Sequence, residues 1–210
     1  MGRGGTRTYA PRMAPEARRR QLLDAALALI AEHGYESVTI EAVANRVGVT
    51  RPVVYSVFAN VDELLVTLLD AHEKATLANV GKAVRDDGQG PGALVRNAMV
   101  EFLKSIKASP DGWKLILQAE DSAAPEEVRR RYVRGRAHVT GMLAEALRTS
   151  LGPAADDLDT EIVADGVVTL AHRGGTLMLT DPDRYPLDRM LGMAELLAAQ
   201  IDDLAAAGAR

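Results

Sequence analysis

The side chains of this 210-residue chain that could do chemistry fall into two sets. The first is a poor catalytic inventory. Four histidines (His33, His72, His138 and His172) are scattered along the chain, with no metal-ligand spacing and no orienting carboxylate beside them. Glu120 and Asp121 are consecutive acids, which point different ways on a helix. There is no cysteine, so a disulfide framework, a thiolate zinc site and a Cys nucleophile are all excluded. No GxGxxG, P-loop or nucleophile elbow is present. The expectation is a chain that is no enzyme, holds no metal and needs no cofactor.

The second set is basic and aromatic. Residues 1–60 carry eight Arg and no Lys against five acids, a net of +3, whereas the remaining 150 residues carry a net of −7. Four of the eight aromatic residues, Tyr9, Tyr35, Tyr55 and Phe58, also lie in those first 60. A small basic head on an acidic body points to a head that meets a polyanion. No apolar run approaches the roughly 18 residues of a membrane span. The Arg-rich start also lacks the apolar stretch of a signal peptide. A soluble cytoplasmic protein without membrane contact is expected.

The elements that position these residues read as helices throughout. Residues 1–14 mix Gly2, Gly4, Gly5 and Pro11 with Arg3, Arg7 and Arg12, and read as a flexible basic arm. With Arg18–Arg20 it could follow phosphates or enter a minor groove. Helix 1 spans Pro15 to His33, with Leu23, Ala26, Leu27 and Ile30 as its apolar stripe and Gly34 as its stop. Thr39 caps helix 2 over Ile40–Val47, Gly48 breaks it, and Thr50 caps helix 3 from Arg51. Asn60 caps a long helix 4, whose apolar positions include Leu64, Leu65, Leu68, Leu69, Val80 and Val84. After the break at Asp86–Gly92, helices are expected at Ala93–Lys107, Pro110–Gln118, Pro125–Leu151, Thr160–Thr180 and Leu187–Ala207. The fold class is all-α with about nine helices. Its parts are an arm (1–14), a three-helix domain (15–60) and a helical body (61–210).

Thr39–Phe58 has the layout of a helix-turn-helix: two short helices cross closely at Ala44 across a turn at Gly48. The second helix of such a unit enters the major groove, and Thr50, Arg51, Val53, Tyr55 and Ser56 could face it. Val54 and Phe58 face the core with Ile30, Val43 and Val47. Several further elements recur in a fixed order over Gln21–Leu65. They are Ala31-Glu32-His33-Gly34-Tyr35, Val38-Thr39-Ile40, Val47-Gly48-Val49-Thr50, Tyr55 with Phe58, and Asp62-Glu63-Leu64-Leu65. This stretch resembles the N-terminal domain of the TetR family of bacterial transcriptional repressors. The resemblance implies a homodimer on a pseudo-palindromic operator, released when a small molecule occupies the C-terminal domain. It also implies phosphate contacts from Thr39, Thr50 and Tyr55, and phosphate or base contacts from Arg51 and Ser56, with Asn60 beside them. The chain departs from the family at Val61, usually lysine, at Val57, often polar or aromatic, and at Pro52, often glycine. Helix 3 then has Arg51 as its only long donor, able to bond guanine, and Val53 for a thymine methyl. DNA shape would supply the remaining selectivity. A helical interaction protein whose motif no longer reads DNA is the competing reading.

In the body, Leu187, Ala194 and Ile201 interleave with Met190, Leu197 and Leu204 as an a/d seam, widened by Leu191, Ala198 and Ala205. With Leu170, Gly174 and Leu177 of the preceding helix they are expected to form a twofold four-helix interface. Met99, Phe102, Trp113, Ile116, Tyr132 and Met142 could line a pocket for a largely apolar effector, with Gln118 or His138 as a polar handle. Arg129–Arg131, Arg134 and Arg136 read as a solvated face paired with Glu126 and Glu127.

Overall fold

The computed structural model describes residues 13–84, 89–120, 123–152 and 159–208. These form nine α-helices and one 3₁₀ turn, with no strand among them. The basic arm's Arg3, Arg7 and Arg12 lie outside the described residues, as does Asp121.

Helix α1 (Pro15–His33) begins on a proline, which has no N–H to leave unpaired, and ends at Gly34, whose N–H bonds Ile30 O at 2.8 Å. Its buried face is Leu22, Ala25, Ala26, Leu29 and Ile30, while Leu23 and Leu27 are only half-buried. The expected stripe is kept at Ala26 and Ile30, while Leu22, Ala25 and Leu29 are buried where Leu23 and Leu27 are not. The cause is that α1 is gripped by α2 (Ile40–Val47), by α4 (Val61–Ala83) and by α6 (Pro110–Gln118), which widens its apolar face.

Thr39 caps α2 as expected, its Oγ1 accepting from Ala42 N at 3.0 Å. Gly48 closes α2 at φ +73°, and the N–H groups of Gly48 and Val49 bond Asn45 O and Ala44 O. That pair of bonds is a Schellman closure, and its left-handed residue favours glycine. Helix α3 (Arg51–Tyr55) is shorter than expected: Phe58 lies beyond it, although its N–H still reaches Val54 O at 3.0 Å. Thr50 makes no side-chain cap; it contributes its carbonyl, which accepts from Val53 N at 2.9 Å. Asn60 Oδ1 accepts from Glu63 N at 2.8 Å, and Glu63 Oε2 accepts from Ala59 N at 2.6 Å, so α4 opens on a reciprocal cap.

The body adds α5 (Pro91–Ala108), α6, α7 (Glu126–Leu151), α8 (Thr160–Thr180) and α9 (Leu187–Gly208). Helix α5 starts two residues before its expected position. Its buried first turn is capped from a distance, because Asp202 Oδ1 on α9 accepts from Gly92 N at 2.8 Å. Any Cβ at Gly92 would overlap that carboxylate and Ala198 O. Helix α9 therefore lies along α5, α8 lies along α7, and α4 runs between α5 and α7.

The three-helix head joins the body through α6. Tyr35, in the 3₁₀ turn Tyr35–Ser37, is buried and donates from its hydroxyl to Leu115 O at 2.7 Å. Ala119 N bonds Ile116 O, so the last turn of α6 tightens and Leu115 O takes its donor from the head. Tyr35→Phe should lower the unfolding free energy by about 1–3 kcal/mol, since a buried carbonyl loses its donor. Urea unfolding would show a lower midpoint at unchanged slope.

Candidate nucleic-acid interface and effector cavity

On the head, Thr39, Thr50, Arg51, Tyr55, Ser56 and Asn60 are exposed, Val53 is half-buried, and Val54 and Phe58 are buried. Tyr55 keeps 49% of its surface although it is aromatic. Its neighbour in sequence, Val54, anchors α3 in a core that includes Ile30, Val43 and Phe58, so the opposite side of the helix is left outward. Arg46 is held bidentately by Glu32, one of the two bonds measuring 2.7 Å. Arg19 lies over the Phe58 ring at 4.6 Å. Arg51 has no side-chain partner among the described residues and projects from the first turn of α3. Ser56 Oγ donates to Val53 O at 2.7 Å, which commits its proton to the backbone. Val61 is half-buried against the head core, so that position carries packing and no cation.

The expected interface helices divide differently from the heptad reading. Ala194, Ala198 and Ile201 are buried where α9 meets its own chain, and Gly174 is buried with Met190 Cε close above it. Leu177, Leu187, Met190, Leu191 and Leu197 are half-buried. Leu170 is exposed, and the other apolar side chains left outward are Ile162 on α8 and Met193, Leu196 and Leu204 on α9. Part of the a/d seam, Ala194 and Ile201, turns inward because α5 packs against α9.

Between α4, α5, α6, α7 and α8 lie two small apolar cavities. One, of about 50 Å³, is walled by Leu77, Phe102, Trp113, Ile116 and Val139, with Glu73, Tyr132, Gly135, Arg136 and His172 at its polar side. The other, of about 40 Å³, is walled by Met99, Leu143, Val167, Val168 and Ala171. Phe102, Val139 and His172 border both, and the Phe102 and His172 rings stack 5.5 Å apart, forming the partition. Of the residues expected in a pocket, Met99, Phe102, Trp113, Ile116 and Tyr132 are brought together here. Gln118 and Met142 are half-buried outside both linings, and His138 is exposed. His138 misses because the inward row of α7 runs Val128, Tyr132, Gly135, Arg136, Val139 and Leu143, and His138 falls off it.

Glu73, Arg136 and His172 were not anticipated. Glu73 was legible as the lone acid in the row Leu65, Leu69, Glu73, Leu77, each four residues apart. The basic stretch of α7 is also only in part a solvated face. Arg130 and Arg134 pair with Glu127, but Arg131 reaches Asp70 at 2.6 Å and Glu73 at 3.1 Å. Arg136 turns to Thr169 Oγ1 at 2.6 Å.

Residues 22–68 match the sequence model of the bacterial regulatory proteins, tetR family. Over those residues the chain is similar to the tetR family. A curated relative is the HTH-type transcriptional activator FasR of Mycolicibacterium smegmatis, 30% identical over 123 residues. That match covers 59% of this chain and 55% of FasR, so it spans about half the length of that relative. Among solved structures, a TetR-like transcriptional regulator from Rhodococcus sp. RHA1 superposes with a TM-score of 0.70 at 19% identity, over 90% of this chain and 97% of that one. The transcriptional regulator FadR of Bacillus subtilis, in complex with stearoyl-CoA, gives 0.67 at 16% identity over 87% and 96%. At these identities the structures establish a shared fold. Among the described residues, no helix is long and apolar enough to cross a membrane, and no group of three metal-ligating side chains occurs.

Inside the body, charge is set by burial. His172 is pushed down to about 4, first by desolvation and then by Arg136, so its ring is neutral near pH 7. Its Nδ1 lies 3.0 Å from the Tyr132 hydroxyl. Burial raises the Glu73 carboxyl, against the opposing pull of Arg131. The unfolded chain binds a proton at His172 near 6.5 and the folded chain only near 4, so stability is lost as pH falls through that window. His72, also pushed down by burial, acts in the same direction, and Glu73 in the opposite one. His172→Phe, which keeps a ring on Phe102, should therefore show a shallower loss of thermal midpoint between pH 6.5 and 4 than the wild type.

Proposed function

We propose that this chain is a ligand-responsive transcriptional repressor that holds a pseudo-palindromic operator as a homodimer and releases it when an apolar small molecule enters the body. Residues 15–60 grip the DNA, and residues 61–210 bind the effector and pair the two copies. The observation that carries this reading is the double duty of α6. One side receives Tyr35 of the head at Leu115 O, while Trp113 and Ile116 wall the cavity. Cavities of about 50 and 40 Å³ hold no drug-sized ligand as they stand, so an effector must move their walls. Moving α6 moves the seat of Tyr35, and with it the spacing of the two recognition helices that an operator requires.

On DNA, Arg51 bonds guanine or phosphate, Val53 meets a thymine methyl, and Thr39, Thr50, Tyr55, Ser56 and Asn60 hold the backbone. The basic arm adds phosphate contacts. So few base-reading donors leave much of the selectivity to DNA deformability. Repression, in place of the activation that the name of FasR states for that protein, follows from release on ligand binding.

The test is retardation of the DNA upstream of the chain's own coding region, repeated with a panel of small hydrophobic compounds. Wild type should retard this DNA, a compound should release it, and a reporter on the same DNA should be silenced. Arg51→Ala and Tyr55→Ala should each abolish retardation and silencing with helicity unchanged by circular dichroism. Intact binding by both variants overturns the assignment of α3.

Pairing of two copies is carried by the outward apolar residues Ile162 and Leu170 on α8 and Met193, Leu196 and Leu204 on α9. Exposed side chains of this size on adjacent terminal helices need a cover. Leu170→Glu combined with Leu196→Glu should sediment as a folded monomer and lose operator binding together. A dimer that survives both changes places the interface elsewhere.

A further inference from the structure

We propose that the cavity takes its effector through a hydroxyl or N–H donor that Glu73 accepts, and turns away carboxylate-headed ligands of the same length. This rests on the ligand-responsive reading above and adds the chemistry of the ligand's head.

Glu73 is a carboxylate with 7% of its surface exposed, at the polar side of a cavity whose remaining walls are mostly apolar. Its Oε2 is buried and accepts no hydrogen bond. Arg131 Nη2 stands 3.1 Å from that oxygen, but off a hydrogen-bonding direction, so the charge is offset while the lone pairs stay unused. Arg131 also serves Asp70 at 2.6 Å, so its charge is divided between two carboxylates. The chain has made room for this acid. Any Cβ at residue 135 would overlap Glu73 Oε1, and the residue there is Gly135. Arg136, the cation that also borders the cavity, is engaged by Thr169 and lies 3.6 Å from Asp165 and 3.9 Å from Glu120. His172 is tied to Tyr132. What the polar side offers a ligand is therefore an acceptor.

A hydroxyl or amine placed at Oε2 gains a charge-assisted bond in a desolvated site. A carboxylate there faces a second buried carboxylate, and like charges at that range disfavour each other strongly. The ligand's tail has one direction to run. Past the Phe102–His172 partition the second cavity is lined by Met99, Leu143, Val167 and Val168, so opening that partition joins the two into one apolar track.

Trp113 is the chain's single tryptophan and lies in the wall of the first cavity, so its fluorescence reports occupancy. Full-length protein is titrated at pH 7 with 1-decanol, decylamine and decanoate below their micelle concentrations. Decanol and decylamine should bind at least about tenfold tighter than decanoate, the size of a charge-assisted bond lost. Glu73→Gln should erase that gap. Gly135→Ala, which keeps the charge but drives a methyl into the carboxylate, should narrow it, with circular dichroism confirming both folds. Decanoate binding as tightly as decanol, an unchanged gap in the folded variants, or no saturable signal with decanol each overturns the proposal. Operator retardation run in parallel separates the two claims. Release by decanoate with tighter binding sinks the Glu73 assignment and spares the regulator reading. A Glu73-dependent preference with no release of DNA does the reverse.

Discussion

The bond from the Tyr35 hydroxyl to Leu115 O is the contact on which the arrangement of the molecule turns. It is buried, it joins residues 80 apart, and it satisfies a carbonyl released by the tightened last turn of a nine-residue helix. Burial holds the Tyr35 phenol well above its ordinary value, so it remains a donor throughout the physiological range. Neither partner has water as an alternative, and the cost of separating them is that of two buried polar groups left unpaired. Helix α6 can therefore shift only if the head shifts with it. Lys114 Nζ, 3.4 Å from Ala31 O of α1, adds a weaker second tie between α6 and the head.

The head and body are built on different economies of polar contact. In the head, the arginines of α1 and α2 are largely engaged, Arg46 with Glu32 and Arg19 over Phe58, and this fixes the helices that present α3. Arg51, on α3, has no side-chain partner among the described residues, so in the proposed complex its guanidinium would break no intramolecular contact to meet a phosphate or a guanine. In the body, the polar groups at the cavity are few and half-satisfied. Their mutual positions depend on Gly135 in α7 and on the Phe102–His172 stack between α5 and α8.

The helices themselves were legible in the sequence, because their signals are local. Prolines at first-turn positions, Gly34 and Gly48 at helix ends, and Thr39 and Asn60 at caps place α1, α2, α6 and the start of α4 within a residue of where they lie. The errors arose where the deciding partner is remote. The early start of α5 depends on Asp202, 110 residues away. The heptad rows of α9 were a true apolar repeat, yet α5 covers part of them, and periodicity does not say which helix will do the covering. The cavity was half legible. Met and aromatic side chains on helical faces pointed to Met99, Phe102, Trp113, Ile116 and Tyr132. The histidine chosen as polar handle was His138, while the ring at the partition is His172, on a helix read only for pairing. Phase within one helix separates Val139 from His138, and no single-helix pattern shows which neighbour will face it.

The clasp between Gly92 and Asp202 gives the body a grain. Helices α5 and α9 are locked in close backbone approach at that end, with the Asp202 carboxylate as the side chain that joins them. Like a hinge-side door post, that pair stays fixed while the opposite walls, α4, α6 and α7, carry whatever swelling the interior undergoes. Expansion is thus steered toward the helix that touches the head, so a change of volume inside becomes a displacement with a direction.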